Sequence, residues 1–200
     1  EDGTISLWNL KGEQLRTWNG KQVWIRSISF SPDGQRLATG GSDGVSLWNL
    51  QGDELAKLET AGAWVWSVSF SPNGQLLATG GGDGVRLWNL QNGQVTKLEN
   101  QGSVRSVSFS PNGQYLATVG DNDRVCLWNL QNRQLSTKPC WGGDGSAIWS
   151  VSFSPDGQLL ATGGNSDKTR LWNLQGDLVA ELKGNQTLIA SISFSSDGKR

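Results

Sequence analysis

Residues Ala63 to Leu90 read AWVWSVSFSPNGQLLATGGGDGVRLWNL, and their pattern decides the fold. Three short runs rich in Val, Leu, Phe and Trp alternate apolar with polar residues. Two compact turn signals separate them, SPNG at Ser71–Gly74 and GGDG at Gly81–Gly84. Strands joined in this way make a β-meander. Val65, Val68 and Phe70, then Leu77 and Ala78, then Val85, Leu87 and Leu90 supply an apolar series, and Trp88 follows Leu87 on the opposite face. A sheet apolar on both faces has to lie between neighbours.

The rest of the chain supplies those neighbours by repetition. Phe-Ser-(Pro/Ser)-(Asp/Asn)-Gly recurs from Phe30, Phe70, Phe109, Phe153 and Phe194, with steps of 40, 39, 44 and 41 residues, and Leu-Trp-Asn-Leu from Leu7, Leu47, Leu87, Leu127 and Leu171. A period near 41 marks one repeat array rather than separate domains. Each unit reads as four strands, in the first unit a (Trp24–Phe30), b (Arg36–Thr39), c (Val45–Leu50) and d (Glu54–Leu58), joined by Pro-Asp-Gly and Asp-Gly turns. The tail of a unit occupies residues 1–19, with strands at Ile5–Leu10 and Gln14–Trp18. Whole units follow near 20–60, 61–100, 101–144 and 145–185, and residues 186–200 open a further one with strand a at Leu188–Phe194. No stretch holds a 3.6-residue apolar period, so no helix is expected.

The chain holds no methionine, opens inside one unit and closes inside another, which predicts a piece of a longer array. Seventeen Lys and Arg against 18 Asp and Glu give a net charge of −1, with neither sign gathered into a stripe, so nucleic acid is not an expected partner. No run of 18 apolar residues is present, and EDGTISLWNL lacks the parts of a secretory signal; no membrane partner is expected. Cys126 falls on a strand and Cys140 in the long loop from Gln131 to Ala147, which reads as two free thiols and a reducing, cytoplasmic compartment.

Five Leu-Trp-Asn-Leu copies, the last four each set after a Ser-Phe-Ser-Pro-Asp-Gly type turn and a Leu-Ala-Thr-Gly-Gly type strand, resemble WD-repeat β-propeller units over essentially all 200 residues. The nearest likeness is to the near-uniform arrays of bacterial multidomain signalling proteins. The resemblance implies an all-β propeller of four-stranded antiparallel blades, strand a innermost and strand d at the rim. Two departures stand out. The family's Trp-Asp is Trp-Asn here, at Asn9, Asn49, Asn89, Asn129 and Asn173, and its Gly-His position holds Lys21, Ala61, Asn100, Asp144 and Asn185. Thr39, Thr79, Thr118, Thr162 and the strand-c Trp of the family's hydrogen-bond network remain, while Asp43, Asp83, Asp123 and Asp167 sit in shortened turns, so the full network cannot form. At about 1 kcal/mol per lost bond, this is smaller than burial of the apolar side chains at roughly 1.5–3 kcal/mol each. Rings of this family usually close at about seven blades. About five copies leave three readings: a fragment, a five-bladed ring, or a ring completed in trans through the incomplete terminal blade.

With no histidine, the Ser-His-Asp and Cys-His arrangements and His metal sites are excluded, and two cysteines do not make a four-ligand zinc site. The Asp residues recur at turn positions, and Asp121-Asn122-Asp123 lacks the glycine and distal glutamate of a calcium loop. No catalytic residue, metal or cofactor is expected. The informative variation lies at the start of strand a, where the units carry Trp24 and Arg26, Trp64 and Trp66, Ser103 and Arg105, Ala147 and Trp149. In the propellers that this chain resembles, these positions face the top surface, and Trp and Arg are enriched in binding hot spots. The expected function is therefore a non-catalytic scaffold or sensor that binds a protein or peptide through Trp24, Arg26, Trp64, Trp66, Arg105 and Trp149. Trp141 on the long loop would add a second contact. The rival readings are an accessory propeller of a hydrolase and a purely architectural module.

Overall fold

The computed structural model describes residues 2–98, 102–130, 136–137, 140–142, 145–184 and 188–200. Their strands form five antiparallel sheets with no helix. The first sheet pairs β1 (Thr4–Trp8) with β2 (Gln14–Asn19). The second is β3 (Ile25–Phe30), β4 (Arg36–Gly41), β5 (Gly44–Asn49) and β6 (Glu54–Leu58), hydrogen-bonded in chain order. The third repeats this order with β7 (Val65–Phe70), β8 (Leu76–Gly81), β9 (Gly84–Asn89) and β10 (Val95–Leu98). In the fourth, β11 (Val104–Phe109), β12 (Tyr115–Gly120) and β13 (Arg124–Asn129) carry two short outer pieces, β14 (Ser136–Thr137) and β15 (Trp141–Gly142), both paired with β13. The fifth is β16 (Ile148–Phe153), β17 (Leu159–Gly164), β18 (Lys168–Asn173) and β19 (Leu178–Lys183). These are the meander blades of a propeller, and among the described residues they do not close into a ring.

Local chemistry sets each turn. In the first a–b turn Ser31 Oγ accepts from Arg36 N (2.9 Å) and donates to Asp33 Oδ1, which also accepts from Gln35 N (3.0 Å), while Gly34 takes φ +67°. Ser71, Ser110 and Ser154 repeat the arrangement. The c–d turns explain the Trp-Asn departure. Asn49 Oδ1 accepts from Gln51 N (2.9 Å) and Asp53 N (2.8 Å), and its Nδ2 donates to Asp53 Oδ2 (2.9 Å); Asn9 with Glu13 and Asn173 with Asp177 do the same. An aspartate there would set two carboxylates against each other. Asn89 bonds the turn amides of Gln91 and Asn92, and Gly93 rather than an acid stands at the fourth position. Asn49→Asp is therefore expected to cost about 1 kcal/mol and Asn89→Asp clearly less, read as the difference in urea midpoints. Equal losses would show that the acid at Asp53 is irrelevant.

The core lies in the seams between sheets. Ala38, Val45 and Leu47 of the second sheet meet Val65, Val68, Phe70, Leu77 and Trp88 of the third, and the next two seams repeat the pattern. Inner strands are also tied side to side: Val68 N donates to Ser27 Oγ (3.1 Å), Val107 N to Ser67 Oγ (3.1 Å), Val151 N to Ser106 Oγ (3.3 Å) and Ile192 N to Ser150 Oγ (3.0 Å). Within blades, Trp48, Trp88, Trp128 and Trp172 donate their indole N–H to Thr39, Thr79, Thr118 and Thr162 at 2.8–3.0 Å, so this half of the family network persists. On the other half, Asp83 turns to Arg86. Partial burial raises the Asp83 pKa, but the Arg86 hydrogen bonds and charge outweigh it and hold the carboxyl below its ordinary value.

Two expectations need correction. Residues 188 to 194, read as a strand, form no strand ladder, because a ladder needs a neighbouring strand and no described segment pairs with them in a sheet. Cys126 and Cys140, read as free thiols, are joined in a disulfide with Cα atoms 4.3 Å apart. The long loop returns to the blade as an outer strand, where Trp141 pairs with Val125 and Cys140 faces Cys126. The thiol argument for a reducing compartment falls with it. No helix among the described residues is long and apolar enough to cross a membrane.

Candidate functional site

Every inner strand carries the same irregularity at its start. Ile25 pairs with Gly41 but Ser27 with Gly40, and the register slips likewise between Val65 and Ser67, Val104 and Ser106, and Ile148 and Ser150. The residue left over is Arg26, Trp66, Arg105 or Trp149. A β-bulge takes its extra residue out of the ladder and re-aims its side chain. It also explains the three-residue step from Val65 to Val68, which face the same seam although strict alternation would separate them.

Ahead of each bulge the backbone is fastened to the b–c turn of its own blade. The carbonyls of Trp24, Trp64, Ser103 and Ala147 accept from the amides of Ser42, Gly82, Asp121 and Asn165 at 2.8–3.3 Å. Gly41, Gly81, Gly120 and Gly164 are needed beneath those carbonyls, since a Cβ at any of them would collide with the oxygen. The four entrances are thus rigid loops on a rigid scaffold, the setting in which exposed side chains serve recognition.

The bulge residues of the second and third full blades meet. The Arg105 guanidinium stands 4.2 Å from the Trp66 ring centroid, and its Nε and Nη2 donate to Asp121 Oδ1 (2.8 Å) and Oδ2 (3.2 Å). Arg26 lies 5.6 Å over the Trp24 ring, inside its own blade. Trp64 is 40 % exposed, and Trp66, Arg105 and Trp149 are half-buried. Around the inner edge the order of bulge residues is Arg, Trp, Arg, Trp. At the rim of the first full blade Lys21 Nζ reaches Glu54 Oε2 (2.7 Å), which holds the Glu54 carboxyl below its ordinary value. Of the other family-His positions, Ala61 takes φ +53°, and Asn100, Asp144 and Asn185 lie outside the described residues.

Trp141 is placed elsewhere. It pairs with Val125 on strand c, as Trp18 pairs with Ile5, Leu58 with Val45 and Leu98 with Val85, and it packs half-buried into the seam between the last two full blades. The signal was in the spacing: Trp18, Leu58, Trp141 and Leu182 each stand twelve residues before the strand-a Phe. Two residues outside the sequence-derived set matter to the site. Asp121, read as a turn residue, clamps Arg105. Gln22, buried at 3 % exposure, donates from Nε2 to Gly44 O (3.1 Å) and ties the loop before Trp24 to strand c; nothing in the repeat pattern flags it. Among the described residues no group of three or more His, Cys, Asp or Glu is placed to hold a metal.

Comparison with known proteins agrees with this geometry. The family model described as the IFT122 first beta-propeller matches residues 1–200. A stretch of 45 residues, 22 % of the chain, is 42 % identical to the guanine nucleotide-binding protein subunit beta of Oryza sativa subsp. indica, and the same holds for that of subsp. japonica. The match spans 12 % of the length of those relatives.

Proposed function

Because the chain belongs to the β-propeller family of the IFT122 first propeller, we propose that it is a non-catalytic scaffold or sensor module that binds a protein or peptide through the bulged starts of its inner strands. One observation carries this reading: the four bulges re-aim Arg26, Trp66, Arg105 and Trp149 in turn, and Arg105 is pre-set over Trp66 by Asp121. A guanidinium held over an indole and fixed by a carboxylate loses little side-chain entropy on binding. Trp24 and the exposed Trp64 widen the same surface, and Trp141 belongs to it only by flanking the seam of the last two full blades.

The reading includes a cytoplasmic signalling role. In that compartment a disulfide is usually reversible rather than a permanent staple. It also includes self-association through the incomplete terminal blade, beside which Ile28 and Phe30 are half-exposed while their counterparts Val68 and Phe70 are buried in a seam.

Trp64→Ala/Trp66→Ala is expected to weaken capture of the partner by at least about tenfold while leaving the thermal midpoint close to wild type. The readout is quantitative pull-down with wild type and variant immobilised at equal density, followed by titration of the recovered partner. Identical capture by the two forms would overturn the site.

A further inference from the structure

We propose that the Cys126–Cys140 disulfide is a thiol–disulfide exchange site, whose reduction by a dithiol releases the outer edge of the third full blade and lifts Trp141 out of the seam with the fourth. The inference is independent of the partner-binding reading above.

The cysteines occupy a cross-strand position that the other blades fill with non-covalent pairs: Ser46 opposite Lys57, Arg86 opposite Lys97, and Arg170 opposite Glu181. In those blades the outer strand is continuous, five residues in β6, four in β10 and six in β19. Among the described residues of the third full blade, Ser136–Thr137 and Trp141–Gly142 pair with β13 as β14 and β15. Among the described residues Arg124 pairs with Gly142 and Val125 with Trp141, and the disulfide is the covalent tie beside these pairs.

The tie holds Trp141 against the neighbouring blade. Trp141 rests on the c–d turn of the next blade so closely that a Cβ at Gly176 would lie 2.9 Å from its Cδ2, and its buried Nε1 has no hydrogen-bond partner. Trp18 sits in the same way on Gly52, also with an unpaired Nε1, but the six-residue strand β2 secures it. A buried N–H without an acceptor favours solvation once its anchor goes. A cleft lined by Gly142, Arg170, Trp172, Gly176 and Glu181 already borders this seam, so the departing indole opens an existing gap.

Access decides the chemistry. Cys126 is 2 % exposed and Cys140 half-buried, so a thiolate of the dithiol attacks Sγ of Cys140. The S–S bond breaks, a mixed disulfide forms at Cys140, and the Cys126 thiolate leaves and takes a proton. The second thiol of the reductant then closes its own disulfide and releases Cys140 as a thiol. Two electrons and two protons have passed to the protein, and the dithiol is oxidised.

The test is amide hydrogen exchange on the whole chain before and after dithiothreitol, with oxidised glutathione used to restore the bond. Reduction is expected to speed exchange at residues 124–126 and 141–142 by at least about tenfold, reversibly, with β3 to β6 unchanged. Cys126→Ser is expected to exchange like the reduced wild type with or without dithiothreitol. Unchanged exchange at those residues in the reduced wild type would overturn the proposal. So would a bond that dithiothreitol leaves intact in the folded chain, or a native chain that carries two thiols and does not oxidise.

Discussion

Trp48→Ala is expected to lower stability by about 4 kcal/mol, whereas Trp8→Ala, in the same Leu-Trp-Asn-Leu motif, is expected to cost less than about 1 kcal/mol. Trp48 is 1 % exposed, donates its indole N–H to Thr39 Oγ1 at 3.0 Å, and packs with Ile5 and Leu37, its ring centroid 6.3 Å from that of Trp18. Truncation removes a large apolar surface, leaves a cavity that the stiff sheets on either side are slow to fill, and strands a buried hydroxyl. Trp8 is 54 % exposed at the edge of a two-stranded sheet, with no strand-b threonine beside it. For a chain of this size the Trp48 loss corresponds to a fall in thermal midpoint of about 10 °C, readable by far-ultraviolet circular dichroism. Comparable losses at the two positions would mean that the motif acts locally and that the seams contribute little.

Val119→Gly and Gly80→Val are both expected to destabilise, although each only converts one repeat into the sequence of another. Position for position, Gly40, Gly80, Val119 and Gly163 are equivalent at the end of strand b. Val119 is fully buried in the seam with Ile148 and Val151, so its loss removes roughly 1.5–3 kcal/mol of apolar burial and adds about 0.5–1 kcal/mol of backbone entropy. At Gly80 the first atom of a side chain would already stand 2.8 Å from Val104 Cγ1 and 3.0 Å from Val107 Cγ1, and overpacking costs about 1–3 kcal/mol. Each seam is fitted to the side chains it contains. The double variant should recover nothing, because the two sites lie in different seams and their losses add. Urea unfolding of the three variants decides this, and a neutral Gly80→Val would show that the seam between the second and third full blades is loose.

The sequence by itself determined the all-β class, the strand and turn order of each unit, and the residue types at the inner entrances. These rest on local rules: period-two alternation, Ser-Pro-Asp-Gly turns whose hydroxyl and carboxyl bond their own backbone, and repetition at a near-constant step. The tertiary structure alone decided which copies of a motif count. It buried Trp48 and exposed Trp8, slipped the register to turn out Trp66 and Arg105, and set Arg105 against Asp121. It also brought Cys140 back onto β13 and put Trp141 in a seam. The physical reason is common to all of these. A ladder register, a disulfide and a seam contact each depend on a second segment, and the energy that selects them is absent until that segment has arrived.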